Sequence, residues 1–340
     1  MSKRRVIYCL MVVFLLFLML NVQAATKTIL KVSTWGGLYQ QCYSETIDRF
    51  EKEYDVEVEW VLGAMASWMV MARGGGLDVV TTNLLNSLVG ENEGLWAELD
   101  ETKIPNMANL LEQANYSKYT VFANIGDYVI AYNSKYVDPA PTSWNDLWDP
   151  AYKNRVVLFY FGSTGTLNLI LQQAEQRGGS IDDINPGLER LAELQKSGNL
   201  IGMVSNDAEI QSLLELEEAW IGISCNGRVV DLQKRGYDFI KIARPQEGTY
   251  GMITTLNVPK TSKQQDLAMK FINHVLSPEV QEYFAERTYY APTIKNAKIP
   301  EELEEGLVTA EDLEKMYIPD FVKVNERKEA WAEVWDRLVH

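Results

Sequence analysis

Small hydroxyl side chains between two glycines form the first stretch of the sequence that could bind a ligand. Residues 162–166 read GSTGT, in which Ser163, Thr164 and Thr166 supply hydroxyl groups and Gly165 leaves the backbone accessible. A hydrophobic run precedes this loop and a helical pattern follows it, so the loop lies at a predicted helix N-terminus. Backbone N–H groups and hydroxyls at such a terminus suit a negatively charged group. The alternative is a glycine turn that only connects a strand to a helix.

The same loop lacks the residues of a nucleotide-binding site. A phosphate-binding loop of nucleotide enzymes needs a lysine and a hydroxyl residue directly after its last glycine. Here Gly165 is followed by Thr166 and Leu167, so no side chain is placed for terminal phosphates or magnesium. The pattern therefore favours ligand binding over nucleotide hydrolysis.

Further candidate residues lie after predicted strands or at the start of predicted helices. Arg228 lies at the start of a predicted helix, where its guanidinium can bind a carboxylate or phosphonate through two parallel hydrogen bonds. The alternative interpretation is a surface arginine on a solvated helix face. The ends of parallel strands are the usual ligand-binding edge of an open α/β sheet. The other candidates, as backbone amides, hydrogen-bonding groups or apolar walls, are Trp35, Gly36, Gly37, Thr82, Asn83 and Tyr250.

An alternation of strands and helices must position these residues. Thr28–Trp35 and Asp55–Val61 have the pattern of strands, with a helix predicted over Leu38–Glu53 between them. This unit implies a parallel sheet, and a second set of elements starts near Asn133. Its first helix is predicted over Thr166–Arg177. The chain is long for a single core, so the sequence predicts an α/β fold with two lobes.

The N-terminal residues have the pattern of a secretory signal peptide. Lys3, Arg4 and Arg5 precede an apolar run, and small residues end at Ala24. We expect cleavage there, with residues 1–24 removed and the protein exported; a membrane anchor is the alternative.

Charge and rare residues narrow the function further. The formal net charge of −15 argues against nucleic acid, which binds basic surfaces. The two histidines, His274 and His340, leave little for a histidine-based catalytic triad or metal site. Cys42 and Cys225 lie far apart in sequence; we expect free thiols, with one disulfide as the alternative.

Residues 128–156, YVIAYNSKYVDPAPTSWNDLWDPAYKNRV, resemble the extracellular solute-binding proteins of ABC importers, most closely their spermidine/putrescine-binding branch. The similarity continues in STWGG, GISCNGRV, PQEGTYG, NVPKTSKQQDLAMKFINHVLSPEVQ and YYAPT, and so runs from about Ser33 to Thr293. Tyr289 and Tyr290, within the last piece, resemble the tyrosine pair of ferric-binding relatives but occupy the usual turn, so we expect no metal site.

The resemblance implies a type II periplasmic-binding-protein fold, an α/β fold whose two lobes are joined by two crossover strands and bind the ligand between them. The crossovers are expected at Tyr128–Asn133 and Tyr250–Pro259. The expected lobes are 25–133 plus 258–305, and 134–257 plus 306–340.

The resemblance also implies that polyamine binders hold their ligand with carboxylates and tryptophans. By alignment the acidic positions fall at Phe161, Thr164 and Thr254, and the tryptophan positions at Cys225 and Met252. None of the five keeps the expected residue type, and a buried ammonium without a carboxylate partner is costly. Thr254 joins the candidate ligand-binding residues as a hydrogen-bonding group.

We therefore expect a periplasmic receptor that captures a small organic anion or zwitterion and delivers it to an ABC permease in the inner membrane. It is expected to be a monomer without cofactor, metal, catalytic residues or nucleic-acid partner. The alternatives are a polyamine-binding protein, a periplasmic sensory receptor that passes its signal to a kinase or chemoreceptor, and a secreted hydrolase.

Overall fold

The predicted alternation of strands and helices is present in a computed structural model, which describes residues 27–304 and 306–339. The predicted signal peptide, residues 1–24, lies outside the described residues. Within those ranges no helix combines the length and the apolar character needed to cross a membrane.

The strands form two sheets. β1 and β2 pair in parallel, as the strand–helix–strand pattern predicts, and β1 lies beside β3 through a bridge between Val32 and Val79. The larger sheet has the order β3-β9-β4-β7-β5-β6, and β8 pairs with β4. The strands are β1 (Thr28–Thr34), β2 (Val56–Leu62), β3 (Val80–Asn83), β4 (Val121–Asn133), β5 (Val156–Phe159), β6 (Leu200–Val204), β7 (Ile221–Cys225), β8 (Ile240–Ala243) and β9 (Tyr250–Asn257).

The helices follow the predicted pattern with two changes of boundary. The helix expected over Leu38–Glu53 is divided at Ile47, because the Thr46 hydroxyl donates to the carbonyl of Cys42 at 3.0 Å, bending the chain there. The helices are α1 (Leu38–Thr46), α2 (Asp48–Tyr54), α3 (Met65–Arg73), α4 (Leu84–Asn92), α5 (Thr164–Gln176), α6 (Asn185–Ser197), α7 (Asp207–Glu215), α8 (Asn226–Lys234), α9 (Gln265–Val275), α10 (Pro278–Thr288), α11 (Glu301–Glu304), α12 (Ala310–Lys315) and α13 (Phe321–Val339).

The second change concerns α5, which begins two residues before the predicted start at Thr166. Ser163 precedes the helix and its hydroxyl oxygen accepts a hydrogen bond from the Thr166 N–H at 3.3 Å. A serine in this position satisfies a donor that the first helical turn leaves unpaired, so the helix starts at Thr164.

Two hydrophobic cores are connected by two strands. In β4, Ile125 packs in the first core and Val129 in the second. In β9, Leu256 packs in the first core and Tyr250 in the second. The crossovers expected from the resemblance are therefore these two strands, and β4 starts seven residues earlier than Tyr128.

The C-terminal segment contacts both cores. Leu307 and Phe321 pack in the first core, whereas Val324, Trp331 and Trp335 of α13 pack in the second. The last three are spaced seven and four residues apart, so they lie on one side of α13 and form an apolar stripe. The exact lobe boundaries given above stay a prediction.

A buried ion pair fixes the middle of β4. The Asp127 carboxylate is fully buried and accepts from Arg244 Nε at 3.0 Å. Arg244 also lies 3.6 Å from Asp312 and donates to the carbonyl of Leu307 at 3.1 Å. Burial raises the pKa of Asp127 above its usual value of 3.8, and Arg244 opposes that rise. The pair thus ties the crossover strand to the C-terminal segment.

Gly126, next to Asp127, allows two side chains to pack directly against the backbone of the crossover strand. A methyl group at Gly126 would lie 2.7 Å from Met252 Cε and 2.8 Å from Tyr290 Cδ1. Both distances are far shorter than a normal contact between carbon atoms. Glycine is therefore required for Met252 and Tyr290 to pack in their present positions.

We expect Arg244→Met to lower the free energy of unfolding by about 3–5 kcal/mol at pH 7, because it leaves a buried carboxylate without its cation. The loss of unfolding free energy should become smaller toward pH 4, because the buried Asp127 carboxylate is then protonated more easily. A raised pKa in the folded state means that stability is present below the unfolded pKa and is lost as pH rises through the folded pKa. Urea unfolding at both pH values, with the exposed Arg49→Met as control, measures this. An equal loss at both pH values would contradict the assignment.

We expect Gly126→Ala to cost about 1–3 kcal/mol, since the new methyl group displaces Met252 and Tyr290. Gly202→Ala is the matched control: it also lies in a strand, and no atom lies within 4 Å of the added methyl group. Urea midpoints of the two variants should differ clearly. A loss as large for Gly202→Ala would show that glycine-to-alanine changes destabilise these strands irrespective of packing.

Candidate functional site

The main cavity lies between the two cores, against both crossover strands, and has a volume of about 420 Å³. This is within the usual range for sites that bind small molecules. The lining residues are Trp35, Gly36, Leu38, Tyr39, Met65, Asn83, Tyr128, Thr164, Asp207, Gly227, Arg228, Asp231, Met252, Ile253, Thr254, Arg287, Thr288, Tyr289 and Tyr290.

Aromatic side chains form the wall next to the first core. Trp35 contacts Tyr39 edge to face, with ring centroids 5.1 Å apart. The Tyr39 hydroxyl donates to Thr254 Oγ1 at 2.9 Å and accepts from the Asn124 side chain. Burial raises the pKa of Tyr39, so its hydroxyl stays protonated. These hydrogen bonds hold α1 against the crossover strands and present Trp35 to the cavity.

Arg228 is a half-buried cation on the opposite wall. It belongs to the first turn of α8, which follows β7 directly. Burial acts to lower the pKa of Arg228, but the neighbouring acidic groups Tyr290 and Asp207 raise it by more, so the guanidinium stays charged. Among the ion pairs of the described residues, none includes Arg228 within 4.0 Å. A ligand anion could therefore bind it without displacing a carboxylate.

Asp207 is the acidic counterpart of Arg228 on the cavity wall. It is the first residue of α7, and its Oδ1 is buried without a hydrogen-bond partner. A buried carboxylate oxygen without a donor is costly, so a ligand donor would stabilise it. The other charged lining residues are already paired. Asp231 lies 3.2 Å from Arg235 Nε, and Arg287 lies 3.9 Å from Glu45.

The hydroxyl loop reaches the main cavity through Thr164 alone. Ser163 instead caps α5, and the Thr166 hydroxyl donates to the carbonyl of Phe159 at 2.8 Å. Gly165 packs against Tyr128, since a methyl group there would lie 3.2 Å from its ring. Of the four predicted residues, only Thr164 lines the main cavity, and the contact of these residues with a ligand stays a prediction.

Three other predicted residues do not line the main cavity. Tyr250 is fully buried in the second core, where it stacks on Trp144 at 4.4 Å and donates to Gln172 at 3.0 Å. Thr82 is fully buried in β3, and its carbonyl accepts from Thr255. Gly37 is an exposed turn residue with φ of 67°. The residues that do lie on the wall are Trp35, Gly36, Asn83, Thr164, Arg228 and Thr254, and their contact with a ligand stays a prediction.

Of the five positions at which polyamine binders are expected to carry carboxylates or tryptophans, Phe161 and Cys225 do not line the main cavity. Phe161 instead stacks on Trp335, with ring centroids 5.6 Å apart. Cys225 contacts the Met252 sulfur at 3.4 Å, and both Cys225 and Cys42 are buried free thiols. Across the described ranges, no group of three or more His, Cys, Asp or Glu side chains could hold a metal ion.

Sequence reasoning missed several lining residues. Asp207 had a usable signal, because it starts a helix directly after strand β6 and so obeys the same strand-end rule as Arg228. Tyr39 and Tyr128 had none, because a helix or strand pattern alone does not say which aromatic side chain faces a cleft. Tyr290 was considered only for iron, whereas it lies on the wall beside Gly126 and Gly227.

Three comparisons agree with this architecture. A spermidine/putrescine-binding periplasmic protein of Salmonella typhimurium is 26% identical over 257 residues, 72% of each chain. A gamma-aminobutyric acid-binding protein of Pseudomonas aeruginosa is 26% identical over 299 residues, 85% of this chain and 84% of that one. The crystal structure of an ABC transporter protein from Clostridium perfringens matches with a TM-score of 0.79 and 26% identity, over 92% of this chain and all of that one.

The sequence pattern of one family covers most of the chain. It is described as bacterial extracellular solute-binding protein and matches residues 45–338, which include most of both cores, both crossover strands and 15 of the 19 residues that line the cavity. The chain belongs to this family of bacterial extracellular solute-binding proteins.

Proposed function

We propose that this protein is a periplasmic receptor for a small zwitterion, which it delivers to an ABC permease of the inner membrane. The solute-binding role is that of its family, whose members are transport proteins and not enzymes. The choice of a zwitterion as the solute rests on one observation. Arg228 and Asp207 face the same cavity and carry opposite charges. Among the described residues, Arg228 forms no ion pair within 4.0 Å and Oδ1 of Asp207 accepts no hydrogen bond, so each has bonding capacity left for a ligand.

Each of these groups would receive one end of the solute. A guanidinium binds a carboxylate through two hydrogen bonds, and a carboxylate accepts from an ammonium group. Trp35 and Met252 would contact the apolar part between them. One free carboxylate on the wall suits one ammonium group, whereas a diamine needs a carboxylate at each end.

The gamma-aminobutyric acid-binding relative supports a solute of this class. The spermidine/putrescine-binding relatives keep the polyamine alternative open. The uncharged Thr164 and Thr254 on the wall count against that alternative, because they stand where alignment with the polyamine binders expects acid.

We expect isothermal titration of the mature protein to detect binding of γ-aminobutyrate, with weaker or no binding of putrescine and succinate. Arg228→Met and Asp207→Asn should each weaken binding by about tenfold to a hundredfold, as expected for loss of a charged hydrogen bond worth about 1.5–3 kcal/mol. Arg49→Met, which removes an exposed cation far more accessible than Arg228, is the control and should bind normally. Tight binding of putrescine without binding of any zwitterion would refute the proposal.

A further inference from the structure

A second chamber lies next to the main cavity. A small space of about 60 Å³, called the neck here, shares Tyr128 and Thr164 with the main cavity, and it shares Phe321 and Thr164 with a chamber of about 290 Å³. Asn83 and Thr164 line all three spaces. The three spaces therefore meet around Asn83 and Thr164, and a solute that extends from Arg228 past Thr164 would enter the second chamber.

More of the hydroxyl loop lines the second chamber than lines the main cavity. Ser163 and Thr164 line it at the N-terminus of α5, a helix of 13 residues. The first turn of a helix leaves its backbone N–H groups without intrahelical acceptors and carries a positive partial charge. Opposite the loop, α13 contributes Lys328.

Asn168 is an independent indication of a ligand at this helix terminus. It lies one turn after Thr164 on α5, lines the second chamber and is only 1% exposed. Its side-chain Nδ2 is buried and has no hydrogen-bond partner. Buried amide donors are nearly always paired, and a ligand in the chamber that Asn168 lines would supply the missing acceptor.

The charge of the second chamber differs from that of the main cavity. Among the residues that line it, none is Asp or Glu, and the half-buried Lys328 is the charged member. No carboxylate of the described chain lies within ion-pair distance of Lys328. In a chain of net charge −15, a space bounded by an unpaired lysine and a helix N-terminus attracts anions locally.

We propose that the second chamber binds a carboxylate at the far end of the solute, so that the solute is an elongated amino acid with a distal acidic group. The inference rests on the proposed function for the amino-acid end, which lies in the main cavity. Lys328, Asn168 and the N-terminus of α5 hold the distal carboxylate, and the neck accommodates the apolar chain between the two ends.

The preference of the chamber for anions is testable without any solute. Ala66 is exposed and lines the chamber, whereas Ser67 is exposed on the same helix and does not. The native cysteines are buried, so Ala66→Cys and Ser67→Cys introduce single accessible thiols. Their reaction rates are measured with methanethiosulfonates of matched size, one bearing a sulfonate and one a trimethylammonium group.

We expect Ala66→Cys to favour the anionic reagent, relative to Ser67→Cys, by about fivefold, the scale of one nearby charge in a solvated site. Lys328→Met should abolish this difference and Lys328→Arg should keep it. Equal ratios at both cysteines, or a ratio that does not respond to Lys328→Met, would overturn the proposal and leave the proposed function untouched.

The solute itself is tested with a series of increasing length. Calorimetry compares norleucine, which lacks a distal acid, with glutamate, 2-aminoadipate, 2-aminopimelate and 2-aminosuberate. The best member should bind at least about tenfold tighter than norleucine, as expected for one added charged hydrogen bond. Lys328→Met and Asn168→Leu should each reduce that advantage without weakening norleucine.

The outcomes separate the two claims. Binding of norleucine and γ-aminobutyrate without any gain from a distal acid overturns the second chamber and supports the proposed function. If none of the amino acids binds, but Ala66→Cys still prefers the anionic reagent and this preference depends on Lys328, the zwitterion proposal is refuted. That result would still support an anion site in the chamber.

Discussion

The pairing of β4 with β9 is the constraint on which the rest of the structure depends. In its register Gly126 lies opposite Met252 and Tyr128 opposite Tyr250, at the point where both strands pass from the first core to the second. Successive side chains of a strand point to opposite faces, so Gly126 and Tyr128 share one face and Asp127 points to the other. One face builds the cavity floor, and the other carries the ion pair with Arg244. Site and scaffold therefore share the same few residues.

Parts of the cleft carry positive charge, although the net charge of the whole molecule is negative. The chain is strongly acidic, yet Arg228 and Lys328 face the cleft without ion-pair partners in the described residues. Partly buried charges that lack protein partners lose hydration without compensation. A solute that supplies the missing partners recovers this energy, so the same groups that weaken the empty protein provide specificity for what it binds.

Much of the fold could be predicted from the sequence, because it depends on local patterns. The parallel unit of β1 and β2 and the apolar stripe of α13 follow from spacing and residue type. The start of α5 was placed two residues too late, because the cap at Ser163 was not recognised. The crossover strands required the family resemblance. Trp35, Arg228 and Thr164 were predicted on the wall because they follow strand ends. Tyr250 was misplaced, since an aromatic residue in a crossover strand is equally suited to a core and to a cleft, and only the stacking on Trp144 decides. The second chamber depends on α13, which returns from the far end of the chain, so no local pattern could predict it.

The position of α13 limits how the two halves of the molecule can separate. Phe321 is anchored in the first core and Val324 in the second, less than one helical turn apart. An α-helix bends sharply only where its backbone hydrogen bonds are interrupted, and α13 contains no proline or glycine that would do so. It acts as a rigid strut beside the two crossover strands. Parting the cores requires Phe321 to leave its packing site, and Phe321 also lines the neck. If the proposed long solute extends through the neck, its escape requires part of a helix to undock, and we expect it to dissociate slowly.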